Sequence, residues 1–188
     1  MADLKSDVLD LGCGPTKLPG AIGMDLNEAS AADVIHDLDD RPWPFPDGSF
    51  RHIRAENVLE HVRDFVGAME EIHRVAKPGA TVAIRMPFMS SVNFATDPTH
   101  RRAGTARTFD YFDPTGTKVL AEYHYSKARF LLREFHYRRG YVGSVGDVMK
   151  LLDKVMVPAI ERWSNTYEHY FAYWYPMHDI DYVLEVVK

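Results

Sequence analysis

Short apolar segments separated by turn residues fill the first half of the chain, and they constrain its fold more than any other feature. The segments are residues 8–11, 21–26, 34–38, 50–55 and 80–87. Segments of this length and composition are typical of strands buried in a parallel sheet. Apolar residues at helical spacing over residues 60–75 predict a crossover helix before the last of these strands. The alternation therefore predicts an α/β fold built on a parallel sheet.

Two of the predicted crossovers are too short for a normal helix. Residues 12–20 contain Pro15, Pro19 and Gly20, which oppose helix formation, and residues 27–33 leave equally little room. Because the strands of a parallel sheet are usually apolar on both faces, both faces need cover. We therefore expect the C-terminal half of the chain, or a second subunit, to cover the face that lacks these helices.

The C-terminal half is rich in aromatic residues. Residues 127–137 and 180–187 read as strands, and an apolar stripe between them predicts a helix with a kink at Pro158. The stripe consists of Val148, Leu151, Leu152, Val155 and Ile160. The aromatic segment that follows is typical of core or interface; its members are Trp163, Tyr167, Tyr170, Phe171, Tyr173, Trp174 and Tyr175. If these side chains do not fold back over their own sheet, a homodimer is the simplest way to bury them.

Length and composition limit the number of domains, the binding partners and the cellular location that we expect for this chain. A chain of 188 residues without repeats or linkers predicts one domain, 1–188. The net charge of −5 opposes nucleic-acid binding, although residues 100–139 are basic and form either a solvated face or an anion-facing surface. No segment predicts a signal peptide or membrane span, so we expect a cytoplasmic protein without membrane contact. Cys13 is the only cysteine, which excludes an internal disulfide, and the nine histidines lack metal-ligand spacing, so no metal is predicted.

A glycine-rich turn after the first strand points to ligand binding. In Asp10-Leu11-Gly12-Cys13-Gly14 the glycines let backbone amides approach a ligand closely. Asp25, at the end of the second strand, stands where such domains hold a ribose. Lys17 occupies the region where a nicotinamide fingerprint would place its third glycine, which argues against a dinucleotide.

Five motifs in order across residues 8–87 resemble those of class I S-adenosylmethionine-dependent methyltransferases. They are residues 8–14 (VLDLGCG), 22–26 (IGMDL), 44–50 (PFPDGSF), 57–62 (NVLEHV) and 71–80 (EIHRVAKPGA). Within this family, the chain is most similar to a bacterial subgroup of methyltransferase type 11. The resemblance implies a Rossmann-like, seven-stranded, mostly parallel sheet with the last strand antiparallel. Here it would have shortened early crossovers and an aromatic C-terminal helical segment. The resemblance also implies that 1–87 form the cofactor-binding half of the domain and 88–188 the substrate-side loops, helical cover and closing strands. The implied cofactor is S-adenosyl-L-methionine, which leaves as S-adenosyl-L-homocysteine.

The same resemblance assigns roles to residues. Gly12 and Gly14 would run beside the amino-acid end of the cofactor, while Asp10 would orient that loop or reach the ammonium through water. Asp25 would accept hydrogen bonds from both ribose hydroxyls. Asp37 would receive the adenine amino group beside the Leu38 amide, and Asn57 would close over the methionine portion. The expected cofactor-binding set is Asp10, Gly12, Cys13, Gly14, Asp25, Leu26, Asp37, Leu38 and Asn57. Glu60 and His61 fit a salt bridge at a helix start and a ligand contact about equally well.

An oxygen or nitrogen acceptor must lose a proton, and histidine has a suitable pKa for removing it. His100 is the predicted catalytic base because it follows the fifth strand, where the acceptor pocket opens in this fold. His124, His136 and Tyr125 are weaker candidates.

The predicted function is methyl transfer to a small-molecule acceptor, including an anionic one. The alternatives are methylation of a nucleic acid or nucleotide, or a non-catalytic module that binds the cofactor to regulate a partner. The first alternative would use these phosphate contacts: Arg101, Arg102, Arg107, Arg138 and Arg139.

Overall fold

Seven strands form a single sheet in the computed structural model, which describes residues 6–123, 125–140 and 145–188. The strands are β1 (Val8–Leu11), β2 (Ile22–Asp25), β3 (Val34–Ile35), β4 (Phe50–Glu56), β5 (Ala76–Pro87), β6 (Arg129–Arg138) and β7 (Asp179–Val187). The helices are α1 (Phe65–Val75), α2 (Val92–Thr96), α3 (Val145–Arg162) and α4 (Ser164–Tyr170), and two 3-10 turns cover Asp110–Phe112 and Val119–Tyr123.

The sheet order is β3-β2-β1-β4-β5-β7-β6. The first five strands pair in parallel, and β7 runs antiparallel to both β5 and β6. This confirms the predicted Rossmann-like fold with an antiparallel last strand. The strand order reverses direction beside β1, so the carboxyl ends of β1, β2 and β4 open into one crevice, where such sheets bind ligands.

The two short crossovers are free of helix, as predicted. Residues 12–21 form a loop whose Lys17 and Cys13 side chains pack against Gly23. A Cβ added to Gly23 would lie 2.6 Å from Lys17 Cδ and 2.8 Å from Cys13 Sγ, so a side chain there has no room. Lys17 also pairs with Asp33, its Nζ lying 2.6 Å from the carboxylate. This loop therefore replaces a covering helix over the end of β2.

The expectation that both faces of the sheet are apolar is wrong. Residues alternate strictly between buried and half-buried along β7, and the buried side aligns across the sheet through Leu9, Ile53, Val82 and Leu184. A row of charges occupies the opposite face; we call Asp10, Arg54, Glu56, Arg85 and Asp181 the charged row. Nitrogen–oxygen distances along it are 2.7 Å for Asp10–Arg54 and Arg85–Asp181, and 3.6 Å from Glu56 to each arginine. Because these side chains satisfy one another, this face needs no helical cover.

The apolar face is covered by α1 and by aromatic residues from the second half of the chain. Met69, Ile72 and Val75 of α1 are buried, as their spacing predicts. The helix starts at Phe65 rather than Glu60 because the Asp64 side chain accepts the Gly67 N–H at 2.9 Å and caps it there. Residues 58–63 form a turn instead, which leaves Glu60 and His61 outside the helix.

The predicted apolar stripe of α3 points mostly outward. Val148, Leu151 and Val155 are exposed, and Ile160 alone of the stripe is buried. The inward side of α3 carries Asp153, which accepts a hydrogen bond from the Tyr175 hydroxyl. Pro158 lies inside the helix, as predicted. No helix among the described residues is long and apolar enough to cross a membrane.

Candidate active site

A cleft of about 490 Å³ opens at the carboxyl ends of β1, β2, β3 and β4. Six of the nine predicted cofactor-binding residues line it: Gly12, Asp25, Leu26, Asp37, Leu38 and Asn57. Cleft volumes of this size are typical of cofactor and small-ligand sites. The structure thus brings together residues that the sequence separates by up to 45 positions.

The turn after β1 approaches the chain after β4 very closely. Gly12 has a φ of 60°, and a Cβ added there would lie 2.4 Å from the Val58 side chain. Gly14 also has a positive φ, and its N–H donates to Asp25 Oδ2 at 2.8 Å. The Asn27 N–H donates to Asp25 Oδ1 at 2.8 Å. Each carboxylate oxygen keeps capacity for a further hydrogen bond, and the residue lines the cleft.

Asp10 lies beneath the cleft rather than in its lining. Its carboxylate is 1% exposed, accepts two hydrogen bonds from Arg54 at 2.8 and 2.7 Å, and accepts the Leu18 N–H at 2.8 Å. The last bond ties the far end of the 12–21 loop to β1. Of the two roles open to Asp10, this placement favours orienting the loop.

The other predicted residues occupy the edges of the cleft. Asp37 accepts the Asp39 N–H at 2.9 Å, and Leu38 joins the hydrophobic core while bordering the cleft. Leu26 is exposed at the rim. Cys13 is buried under the turn, and burial raises the pKa of its thiol. Cys13 therefore packs beneath the turn, against Gly23, and is not one of the residues that line the cleft.

The cleft is also lined by residues outside the predicted cofactor-binding set. They are His36, Asp39, Val58, His61, Val62, Arg63 and Arg101. Most lie in or beside the 57–62 motif, so the turn after β4 forms a wall of the cleft, and for His61 ligand contact was one of two interpretations of the sequence. Arg101 comes from a distant loop, and the sequence named it only as a candidate phosphate contact.

A second cavity of about 390 Å³ adjoins the cleft and shares Asn57 and His61 with it. It lies at the carboxyl ends of β4 and β5 and at the start of β7. We call it the acceptor pocket; its other lining residues are Glu60, Pro87, Asn93, Thr96, Asp97, His100, His178 and Asp179. A ligand here would be separated from a ligand in the cleft only by the shared wall.

His100 is one of the residues that line the acceptor pocket. Its Nδ1 is 3.3 Å from the Phe94 carbonyl oxygen, and its Nε2 is 3.9 Å from Glu60 Oε1 and 3.8 Å from Asp97 Oδ2. A carbonyl oxygen can only accept, so the Nδ1 position carries the proton and Nε2 holds the lone pair. The imidazole can therefore take a proton at Nε2.

His61 and Glu60 complete the polar end of this pocket. The His61 and His100 ring centroids are 4.7 Å apart, and burial together with the neighbouring His100 lowers the pKa of His61. Glu60 is 1% exposed, and neither of its carboxylate oxygens has a hydrogen-bond partner among the residues that the structure describes. Burial, with the nearby Asp179 and Asp97 carboxylates, raises the pKa of Glu60 to about 7. Neither residue forms the salt bridge at a helix start that was one of the two interpretations of this motif.

The weaker base candidates lie elsewhere. His136, on β6, is 3.3 Å from Glu161 and 3.5 Å from Glu134. Tyr125 stacks on Tyr123 with ring centroids 5.7 Å apart. Neither side chain belongs to the lining of the two cavities, and His124 lies outside the described residues.

Comparison with known proteins agrees with this fold. Residues 9–84 match a family described as the methyltransferase domain. The structure of a SAM-dependent methyltransferase from Archaeoglobus fulgidus superimposes on this chain with a TM-score of 0.56 and 16% sequence identity. The superposition covers 96% of this chain and 86% of that one. The YcgJ protein of Bacillus subtilis has a TM-score of 0.61 at 14% identity, over 98% and 93%. Phosphoethanolamine N-methyltransferase 2 of Haemonchus contortus, solved with S-adenosyl-L-methionine, has a TM-score of 0.52 at 13% identity, over 97% and 48%. No curated protein matches the chain in sequence.

The sheet order and the cleft at its switch point define a Rossmann-like methyltransferase fold. Residues 9–84 match the methyltransferase domain, and the chain as a whole has the fold of SAM-dependent methyltransferases.

Proposed function

We propose that this enzyme methylates an oxygen or nitrogen atom of a small molecule bound in the acceptor pocket. The observation that carries the proposal is the wall of Asn57 and His61 shared by the two cavities. An acceptor bound in this pocket would lie beside the cofactor cleft, and positioning is the main contribution that a protein makes to a displacement at an activated methyl group.

The residues of the cleft fit the cofactor. Asp25 offers the remaining lone pairs of a carboxylate to the ribose hydroxyls, and Asp37 stands in the next loop for the adenine amino group. The backbone around Gly12 and the exposed Asn57 side chain would hold the amino-acid end. S-adenosyl-L-methionine supplies a methyl group on a positively charged sulfur, so the protein need not activate the donor.

His100 acts on the acceptor in this proposal. Its Nε2 lone pair would take the proton of an acceptor O–H or N–H, while the Phe94 carbonyl holds Nδ1–H and fixes the ring. The carboxylates of Glu60 and Asp97 near Nε2 would stabilise the imidazolium that results. The same carboxylates, with Asp179, do not favour the anionic acceptor considered from the sequence.

The arginines considered as phosphate contacts support a small acceptor rather than a nucleic acid. All five are engaged within the protein; their partners include the His61 and Leu59 carbonyls, Asp110, Asp181 and Asp153. A guanidinium held this way is less available to a phosphate backbone. Salt-dependent RNA binding would support the alternative acceptor.

Replacing the proposed base tests this assignment. We expect His100→Gln to lower turnover by roughly 100-fold or more while S-adenosyl-L-homocysteine affinity stays unchanged. Turnover is measured as S-adenosyl-L-homocysteine released from a panel of hydroxyl and amine acceptors. His169→Gln, at an exposed position of α4, is the control and should match the wild type. Wild-type turnover in His100→Gln would contradict the base assignment.

We also propose that the protein is a homodimer. Tyr167 is buried, but Trp163, Tyr170, Phe171, Tyr173 and Trp174 remain exposed on and after α4. The preceding helix, α3, contacts α4 and exposes further apolar side chains. An apolar surface of this extent is typical of a protein interface.

A further inference from the structure

We propose that Glu60, His61 and His100 bind one divalent transition-metal ion where the acceptor pocket meets the cofactor cleft. One possible ligand atom from each residue lies within 4.8 Å of those of the other two. Two imidazoles and one carboxylate form a ligand set that proteins use for zinc and for other first-row divalent metals. The sequence did not predict this site because His100 lies 39 positions after His61, far outside any local ligand spacing.

The Glu60 carboxylate is the first independent support. It is almost fully buried, and both of its oxygens lack hydrogen-bond partners among the described residues. A buried carboxylate without partners is costly unless a cation or donor compensates it. The positive charge of the neighbouring Arg102 favours the ionised carboxylate, but the guanidinium donates its hydrogen bonds to the Leu59 and Val62 carbonyls and none to Glu60. A metal ion would supply the missing positive charge.

The orientation of the two imidazoles is the second support. The Thr99 hydroxyl donates to Asp97 Oδ1 at 2.6 Å, so at 2.8 Å from His61 Nδ1 it accepts the proton of that nitrogen. The Phe94 carbonyl does the same for His100 Nδ1 at 3.3 Å. Both rings are left with a lone pair on Nε2. Metal-binding histidines are usually oriented in this way, by donating the other ring N–H to a protein acceptor.

The inference rests on the proposed methyl transfer in the acceptor pocket, but for an acceptor with a hydroxyl group it replaces the base role of His100 with a role as metal ligand. Glu60, His61 and His100 would hold the metal at the lining of the acceptor pocket. The metal would act as a Lewis acid that lowers the pKa of an acceptor hydroxyl, and the proton of that hydroxyl would pass to solvent water. The His100 Nε2 lone pair is then used for coordination, so proton removal no longer depends on this imidazole as a base.

Metal binding is tested directly, without turnover. The wild-type protein, freed of metal with a chelator, is titrated with Zn²⁺ by calorimetry and with Co²⁺ by visible absorption. We expect one equivalent per chain, and at least about 100-fold weaker binding in Glu60→Gln and His100→Ala. Thr99→Val, which removes the partner of His61, should weaken binding by about 10-fold. His169→Gln serves as the matched control and should bind as the wild type does.

S-adenosyl-L-homocysteine affinity, measured on the same variants, shows that each is folded. Stoichiometric Zn²⁺ binding that is unchanged in Glu60→Gln and His100→Ala would overturn the site, as would the absence of Zn²⁺ and Co²⁺ binding by the wild type. If the wild type binds no metal but His100→Gln loses turnover, the proposed function stands and only the metal site fails. If metal binds as expected but no acceptor is turned over, the site stands and the proposed function fails.

Discussion

At the scale of single residues, Asp25 organises the cofactor cleft before any ligand binds. It accepts one N–H from the glycine turn and another from the loop after β2, which fixes both segments around its carboxylate. The carboxylate that would accept hydrogen bonds from the ribose is therefore already oriented. Binding the ribose would cost little conformational entropy of the Asp25 side chain.

Removing this carboxylate should weaken cofactor binding. We expect Asp25→Ala to lower S-adenosyl-L-homocysteine affinity by about 1.5 to 3 kcal/mol, the range for a hydrogen bond to a charged group, measured by calorimetry. Asp25→Asn, which retains an acceptor for one N–H, should lose less. Glu28→Ala, at an exposed position of the same loop, is the control. Equal affinity in Asp25→Ala and the wild type would rule out the ribose assignment.

The residues that the sequence could predict are those whose role depends on their place at a strand end. Gly12, Asp25 and Asn57 each follow an apolar segment, and parallel strands necessarily bring their carboxyl ends to one edge. Glu60 and His100 meet only through the path of the loop after α2, which no periodic pattern describes. The sequence thus singled out His100 and left Glu60 and His61 open between a salt bridge and a ligand contact, but it did not predict that the three side chains meet.

At the scale of elements, strand positions were predictable but the faces of the sheet were not. The apolar segments correctly located β1 through β5, because burial on one side is enough to produce an apolar segment. Arg54, Arg85 and Asp181 lie within such segments or at their ends, and their pairing across neighbouring strands depends on register. Register is a property of the assembled sheet, so the charged row could not be read from separate segments.

The charged row should contribute measurably to stability. In a double-mutant cycle of Arg85→Ala and Asp181→Ala, we expect a coupling energy of about 1 kcal/mol in urea unfolding. The Arg133–Glu185 pair, also at 2.7 Å, is the comparison, and we expect about 0.3 kcal/mol there. The difference follows from exposure, since the side chains are 25% and 19% exposed in the first pair and 52% and 36% in the second. Equal coupling in the two pairs would contradict a stabilising role for the row.

At the scale of the whole molecule, the exposed aromatic surface predicts the assembly state. Light scattering at micromolar concentration should give about twice the 21.5 kDa mass of the chain. Trp174, the most exposed of these residues at 87%, and Tyr173 are suited to a test. The double variant Tyr173→Ser, Trp174→Ser should shift the mass toward the monomer and leave S-adenosyl-L-homocysteine binding intact. A wild-type mass near 21.5 kDa would contradict the dimer.

The charged row also limits which amino-acid substitutions its positions can accept during evolution. A helix covering a sheet tolerates many apolar exchanges one at a time, whereas an ion pair between adjacent strands loses its partner when one side changes. Relatives that share the two short crossovers should therefore substitute positions 54, 56, 85 and 181 together, often with the charges exchanged. Relatives that carry helices over this face should have apolar residues there. Correlated substitution at these four positions would thus distinguish, by sequence alone, relatives with helices on one face of the sheet from relatives with helices on both faces.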